Sequence, residues 1–214
     1  MKIISHRGYW KTAEEKNSAL AFKRSFELGF GTETDVRDAV GKLVISHDMP
    51  NGKEMAVADF LALASSEARG QRLLVALNIK ADGLAHHLNE EVKNYPDLDC
   101  FVFDMSVPDM RGFFSTDIPV FTRMSEVERE PAWLERAAGV WLDSFDGEWY
   151  QREDIQRLLD TGLRVCVVSS ELHGRSNDAL WNMLLSLKNE ESLVLCTDFP
   201  EKAAIFFSVE RDET

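Results

Sequence analysis

Three short sets of residues within the first 48 positions of this 214-residue chain are able to do chemistry: His6-Arg7, Glu33-Thr34-Asp35 and His47-Asp48. Each stands at the end of an apolar, strand-like run. Glu33 and Asp35 are two apart on a strand, so their side chains share a face. Two carboxylates on one face repel unless a cation lies between them, and oxygen-only ligands suit Mg²⁺ or Ca²⁺ rather than zinc. His6 and His47 offer imidazoles that titrate near neutrality, the property a general base and a general acid require. Arg7 and, further along, Lys80 can stabilise phosphoryl oxygens, Arg7 through its planar fork and Lys80 as a point charge. Together these are parts for binding a divalent metal and cutting a phosphate ester. Taken singly, each has a plainer reading: a solvated strand end for Glu-x-Asp, a structural role for a lone histidine, a salt bridge for a cation in an acidic chain. Their concentration at the first strand ends favours chemistry.

The elements that must position them follow from the pattern of apolar residues. Strand-like runs cover 3–4, 32–36, 42–47, 73–80, 100–103, 120–121, 140–142, 165–168 and 193–196. A turn at Val40-Gly41 joins the second to the third. Helical spacing appears at 17–28, capped by Asn17 or Ser18 and ended by Gly29, and at 57–64, 84–92, near Asp109, 133–137, 154–159, 178–187 and 201–207. Near-continuous apolar strands between helices imply a parallel sheet covered on both faces. About eight such units favour a closed (β/α)8 barrel in a single domain over 1–214, rather than an open doubly wound sheet. The absence of a Gly-x-Gly-x-x-Gly or Walker pattern argues against nucleotide binding.

A parallel barrel carries its active site at the C-terminal strand ends. There the sequence places His6, Arg7, Glu33, Asp35, His47, Asn78, Lys80, Asp104, Arg123, Asp143, Glu171 and Asp198. His173 lies in a loop expected to border the site, and Tyr9 with Trp10 offers an apolar wall for a leaving group. His86-His87 falls on the outer ring without a role, and Trp141 reads as core.

Twenty-four basic against 37 acidic residues give a net charge of −13, which repels nucleic acid and anionic membrane. A phosphorylated substrate then needs local cations or a metal. No apolar run approaches the roughly 20 residues of a membrane helix, and the N-terminus does not read as a signal peptide. Cys100, Cys166 and Cys196 lie in apolar runs without metal-type spacing. Buried free thiols and a cytoplasmic location are expected.

The ordered motifs resemble the glycerophosphodiester phosphodiesterase family. Ser5-His6-Arg7-Gly8, the segment from Asn17 to Phe22, Glu33-Thr34-Asp35-Val36 and the run from Leu43 to Asp48 match almost continuously over 3–48. Leu77-Asn78-Ile79-Lys80 looks like the family's third-strand motif, and Thr197-Asp198-Phe199-Pro200 like its last-strand ending. The resemblance implies a (β/α)8 barrel and metal-dependent cleavage of a small-molecule phosphodiester. Glu33 and Asp35 would hold Mg²⁺ or Ca²⁺, His6 and His47 would be the acid–base pair, and Arg7 and Lys80 would grip the phosphate. A substrate hydroxyl would attack phosphorus, giving a cyclic phosphate that water then opens. Three departures stand out. Asn78 occupies the place of the family's third metal carboxylate, so it would ligate only through a neutral amide oxygen. Lys16 replaces a usual glutamate, which removes an acid or adds a cation near the phosphate. The short 49–56 connection replaces a larger insertion, which implies a more open site. Two alternatives follow from the same residues: a degenerate barrel that binds a phosphorylated ligand without cutting it, or a lyase that stops at the cyclic phosphate.

Overall fold

The computed structural model describes residues 1–208. In chain order the elements are β1 (Lys2–His6), α1 (Ala19–Glu27), β2 (Gly31–Ala39), β3 (Lys42–Ile45), α2 (Val57–Glu67), β4 (Leu74–Ile79), α3 (Ala85–Val92) and β5 (Asp99–Phe103). They continue with α4 (Val107–Phe113), β6 (Phe121–Met124), β7 (Gly139–Leu142), α5 (Arg152–Asp160), β8 (Arg164–Val168), α6 (Asp178–Leu184), β9 (Leu193–Thr197) and α7 (Pro200–Ser208). Eight strands run parallel in the order β5-β4-β2-β1-β9-β8-β7-β6. A single bridge between Val102 and Val120 joins β5 to β6 and closes the ring. This is the expected (β/α)8 barrel.

The run at 42–47 stands outside the eight parallel strands. As β3 it folds back antiparallel on β2, with Val36 opposite Ile45, through a turn in which Val40 (φ 50°) and Gly41 (φ 77°) are both left-handed. Positive φ at both central residues is what a two-residue hairpin requires. The helix expected at 133–137 is one 3₁₀ turn, Leu134–Arg136. Pro131 precedes it and β7 starts at Gly139, leaving too few residues to offset the cost of nucleating an α-helix.

Side chains alternate across each strand, and the inward set fills the barrel. Ile4, Ala76, Phe101, Phe103, Phe121, Trp141, Cys166, Val168 and Cys196 form that interior, with Phe103 stacked on Trp141 at 3.7 Å and Phe101 on Phe121 at 3.9 Å between centroids. Two more residues along the same phase bring His6 after Ile4, Asn78 after Ala76, Arg123 after Phe121, Asp143 after Trp141 and Asp198 after Cys196. The period that builds the core therefore also lines the mouth. On β2, Gly31 starts the inward phase that continues to Glu33 and Asp35; a Cβ on Gly31 would stand 2.2 Å from the Leu74 carbonyl oxygen. The opposite phase, with Val36, Val75, Leu77 and Val102, packs under the helices against residues such as Phe22 and Phe26 of α1 and Phe60 of α2. Cys100, Cys166 and Cys196 are buried and free. Among the described residues, no helix is long and apolar enough to cross a membrane.

Candidate active site at the barrel mouth

Strand register assembles the first half of the mouth. His6 pairs with Glu33 across β1 and β2, and Asp35 pairs with Asn78 across β2 and β4. After His6 the chain turns through left-handed Arg7 (φ 58°) and Gly8 (φ 80°). A Cβ on Gly8 would lie 2.8 Å from the Ala21 backbone, so this turn packs against the start of α1 only as glycine. The Arg7 amide donates to the Glu33 carbonyl (3.0 Å) and to Glu33 Oε2 (3.2 Å). Arg7 Nε forms an ion pair with Asp35 Oδ2 at 3.0 Å without hydrogen-bond alignment.

Asn17 fastens this half together. It is left-handed (φ 57°), a conformation asparagine tolerates. Its amide donates to the Arg7 carbonyl, Nδ2 donates to Asp35 Oδ2 at 2.9 Å, and Oδ1 accepts from the Thr34 hydroxyl at 2.9 Å. Of the two residues expected to cap α1, Ser18 does so, accepting from the Ala21 amide. The place of Asn17 in the site went unread, although its position inside the Asn17-to-Phe22 motif was a signal for it.

Glu33 and Asp35 are almost completely buried. Burial first, and the neighbouring Asp35 charge second, push the Glu33 carboxyl up to about 8, against the pull of Arg7 and Lys80. Lys80 Nζ sits 3.6 Å from Asp35 Oδ1 and 3.6 Å from Asp104 Oδ2, while Arg123 holds the other Asp104 oxygen at 2.6 Å. Asp35 Oδ1 and Asn78 Oδ1 are buried without a hydrogen-bond partner. Unsatisfied buried oxygens on register-paired residues, beside a carboxylate short of positive charge, suit a hard cation. Among the described residues, no group of three or more His, Cys, Asp or Glu is arranged to hold a metal. The set here is instead two carboxylates and an amide, and solvent or substrate oxygens would have to complete its shell.

The two expected catalytic histidines occupy different places. His6 Nδ1 lies 2.8 Å from Asp198 Oδ1, and Nε2 lies 4.0 Å from Glu33 Oε2. Burial lowers its pKa, and the Asp198 hydrogen bond opposes that shift. His47 stands at the rim with its side chain 45% exposed and Nδ1 2.9 Å from Asp48 Oδ1. The reason is the direction of β3, whose end is tied to β2 by the Ser46 amide on the Asp35 carbonyl (3.0 Å). His47 and Arg7 line an open cleft of about 860 Å³, walled by the 13–19 and 45–55 segments and including Lys16 and Lys53. Tyr9 and Trp10 do not form the expected wall of this cleft. Trp10 donates to the His6 carbonyl (3.2 Å) and carries Lys16 Nζ over its ring at 4.4 Å, while Tyr9 bonds Glu201.

Across the mouth, Asp143 accepts from His173 Nε2 at 2.7 Å. That hydrogen bond raises the His173 pKa. His86 and His87 lie on α3, with His87 Nε2 3.9 Å from Glu91.

No family model and no curated protein matches this sequence. Solved structures do match. A glycerophosphodiester phosphodiesterase from Agrobacterium tumefaciens aligns with 98% of this chain and 100% of its own at a TM-score of 0.68 and 17% identity. One from Thermotoga maritima aligns over 97% of each chain at 0.65 and 17%. A glycerophosphoryl diester phosphodiesterase from Parabacteroides distasonis aligns over 97% of this chain and 86% of its own at 0.63 and 15%. What this chain shares with these three, end to end, is the barrel fold of glycerophosphodiester phosphodiesterases.

Proposed function

We propose that this chain, a single barrel domain over the described residues 1–208, cleaves a small glycerophosphodiester-like substrate with a divalent metal, giving an alcohol and a phosphomonoester; the last six residues of the expected 1–214 span lie outside the described residues. The observation that carries this reading is the cluster on adjoining strand ends. There a partly buried histidine hydrogen-bonded to aspartate lies beside two buried carboxylates and two oxygens without a hydrogen-bond partner, with Arg7 and Lys80 against them. Glu33, Asp35 and the Asn78 amide oxygen are the residues that would hold Mg²⁺ or Ca²⁺, which supplies charge neutralisation at the phosphoryl oxygens.

The chain's own groups do the remaining work. Arg7 and Lys80 bind the non-bridging oxygens and orient the diester. With Nδ1–H directed at Asp198, His6 Nε2 accepts the proton of the attacking substrate hydroxyl. His47, on the wall of the cleft, donates a proton to the departing alcohol. The resulting cyclic phosphate is opened by water with the two histidines exchanging roles. The short 49–56 connection leaves the cleft open, which favours a larger alcohol on the diester. Turnover of generic aryl phosphodiesters by the purified protein with Mg²⁺, Ca²⁺ or Mn²⁺ tests this. No turnover with any metal, or turnover undiminished in both His6→Ala and His47→Ala, overturns it.

A further inference from the structure

We propose that Glu171 is a positioning residue for His6. Acting through Asp198, it fixes the imidazole as the Nδ1–H tautomer and leaves Nε2 free to accept a proton. The consequence for turnover rests on the function proposed above; the positioning itself does not.

Glu171 lies in the 3₁₀ turn Ser170–His173 after β8. Its Oε1 accepts from the Thr197 hydroxyl and from the Asp198 amide (3.1 Å), and its Oε2 accepts from the Ser169 hydroxyl. Ser169 in turn accepts from the Trp181 indole at 2.8 Å. These donors are all neutral, so the carboxylate is spent on holding backbone and hydroxyl groups in place. Two of the three belong to the end of β9, which runs beside β1 with Thr197 in register with Ser5. Asp198 is thereby held twice, by Glu171 through its amide and by His6 through Oδ1.

The His6 ring has a hydrogen-bond partner at one of its two nitrogens. Asp198 Oδ1 is 2.8 Å from Nδ1, whereas Glu33 Oε2 is 4.0 Å from Nε2. An ionised carboxylate only accepts, so Asp198 draws the ring hydrogen to Nδ1. If the end of β9 drifts, the Nδ1–H form loses its acceptor, and the Nε2–H form becomes competitive. In that form His6 cannot take a proton at Nε2.

Nitrogen NMR of histidine-labelled protein reads this directly, with His6 assigned by the signals missing from His6→Ala. Above the His6 pKa, the wild-type ring is expected to show a protonated Nδ1 and a bare Nε2. Glu171→Ala is expected to mix the two tautomers and lower kcat about 10–100-fold with KM within about twofold, the scale of losing an orienting partner. Glu171→Gln keeps an oxygen for the Asp198 amide and is expected to restore both readouts. Should Glu171→Ala not fold, Glu171→Asp withdraws the carboxylate by one methylene and is expected to give partial mixing. An unmixed Nδ1–H ring in the Ala or Asp variant, an Nε2–H ring in the wild type, or no recovery in Glu171→Gln would overturn the proposal. The NMR readout needs no substrate. An inactive wild type with an ordered Nδ1–H His6 would therefore sink the phosphodiesterase reading and support the positioning role.

Discussion

The barrel mouth holds two histidine–aspartate pairs of nearly equal length, His6–Asp198 at 2.8 Å on the β1 side and His173–Asp143 at 2.7 Å on the β7 side. Their surroundings differ. His6 has its side chain 15% exposed, burial lowers its pKa, and Nε2 lies 4.0 Å from the buried Glu33, next but one to the buried Asp35. His173 is only slightly more exposed at 23%, with Phe145 packed edge-on at 4.9 Å, and the Asp143 hydrogen bond raises its pKa. Around it opposite charges alternate: Arg175 pairs with Glu148 at 2.6 Å, and Ser170 donates to the same carboxylate. Atoms without a hydrogen-bond partner occur there too: Glu126 Oε2 and Arg175 Nε, whose groups are bonded through other atoms, and the buried Tyr150 hydroxyl. Among the described residues at the mouth, only the β1 side sets two almost fully buried carboxylates on one strand face, with Glu33 driven toward its neutral form. A histidine–aspartate pair by itself thus says little about chemistry. The unmet demand for positive charge around it says more.

The sharpest way to break this contrast is to delete each histidine. His6→Ala is expected to lower kcat on an aryl phosphodiester by about 10²–10⁴-fold, the usual worth of a positioned acid or base. His173→Ala is expected to stay within about threefold of wild type. Equal losses in steady-state assays would mean that the two pairs act together and that the contrast drawn from burial is wrong.

A second intervention addresses the charge deficit. Asn78→Asp supplies a third carboxylate beside Asp35 Oδ1, which has no hydrogen-bond partner. Calorimetry is expected to show about tenfold tighter Ca²⁺ or Mg²⁺ binding, worth about 1.4 kcal/mol. In chelator, the same variant is expected to melt below wild type, because a further buried negative charge has no partner. Unchanged affinity with unchanged melting would mean that residue 78 faces solvent rather than a cation site.

The contrast between the two halves was only partly legible in the sequence. Strand periodicity is local, so the inward phase through Ile4 to His6 and Ala76 to Asn78 could be read residue by residue. The Val40-Gly41 turn was legible for the same reason, and it fixes β3. What the turn implies for His47 was not legible. An antiparallel return moves the end of that run to the rim, although its sequence looks like any barrel strand. Contacts made by closing the ring were also hidden. Asp198 reaches His6 across 192 positions, and Glu171 reaches Asp198 across a helix and a strand. A closed barrel makes the first and last strands neighbours, but no spacing rule reports which side chains at the strand ends meet. The expected helix at 133–137 failed for a further reason: a short apolar spacing shows which face would be buried, but not whether enough residues exist to nucleate a helix.

The smallest expected effect concerns the β7 side alone. His173 has its pKa raised in the folded protein, above an ordinary 6.5, with the Asp143 hydrogen bond the main cause. A raised folded pKa means that the folded state binds a proton more tightly than the unfolded chain. The pair's charged form therefore contributes its full stability below pH 6.5, and that contribution is lost as pH rises through the folded value. Arg175 opposes the shift and Glu126 supports it, so neither reverses the sign. His173→Gln removes the titration. Urea unfolding is expected to show wild type ahead of this variant by about 1 kcal/mol more at pH 5.5 than at pH 9, a charge-assisted hydrogen bond discounted for partial exposure. A difference independent of pH would mean that the Asp143 contact is no stronger with imidazolium than with neutral imidazole. The β7 pair would then be a packing contact, and the two sides of the mouth would differ even more in kind.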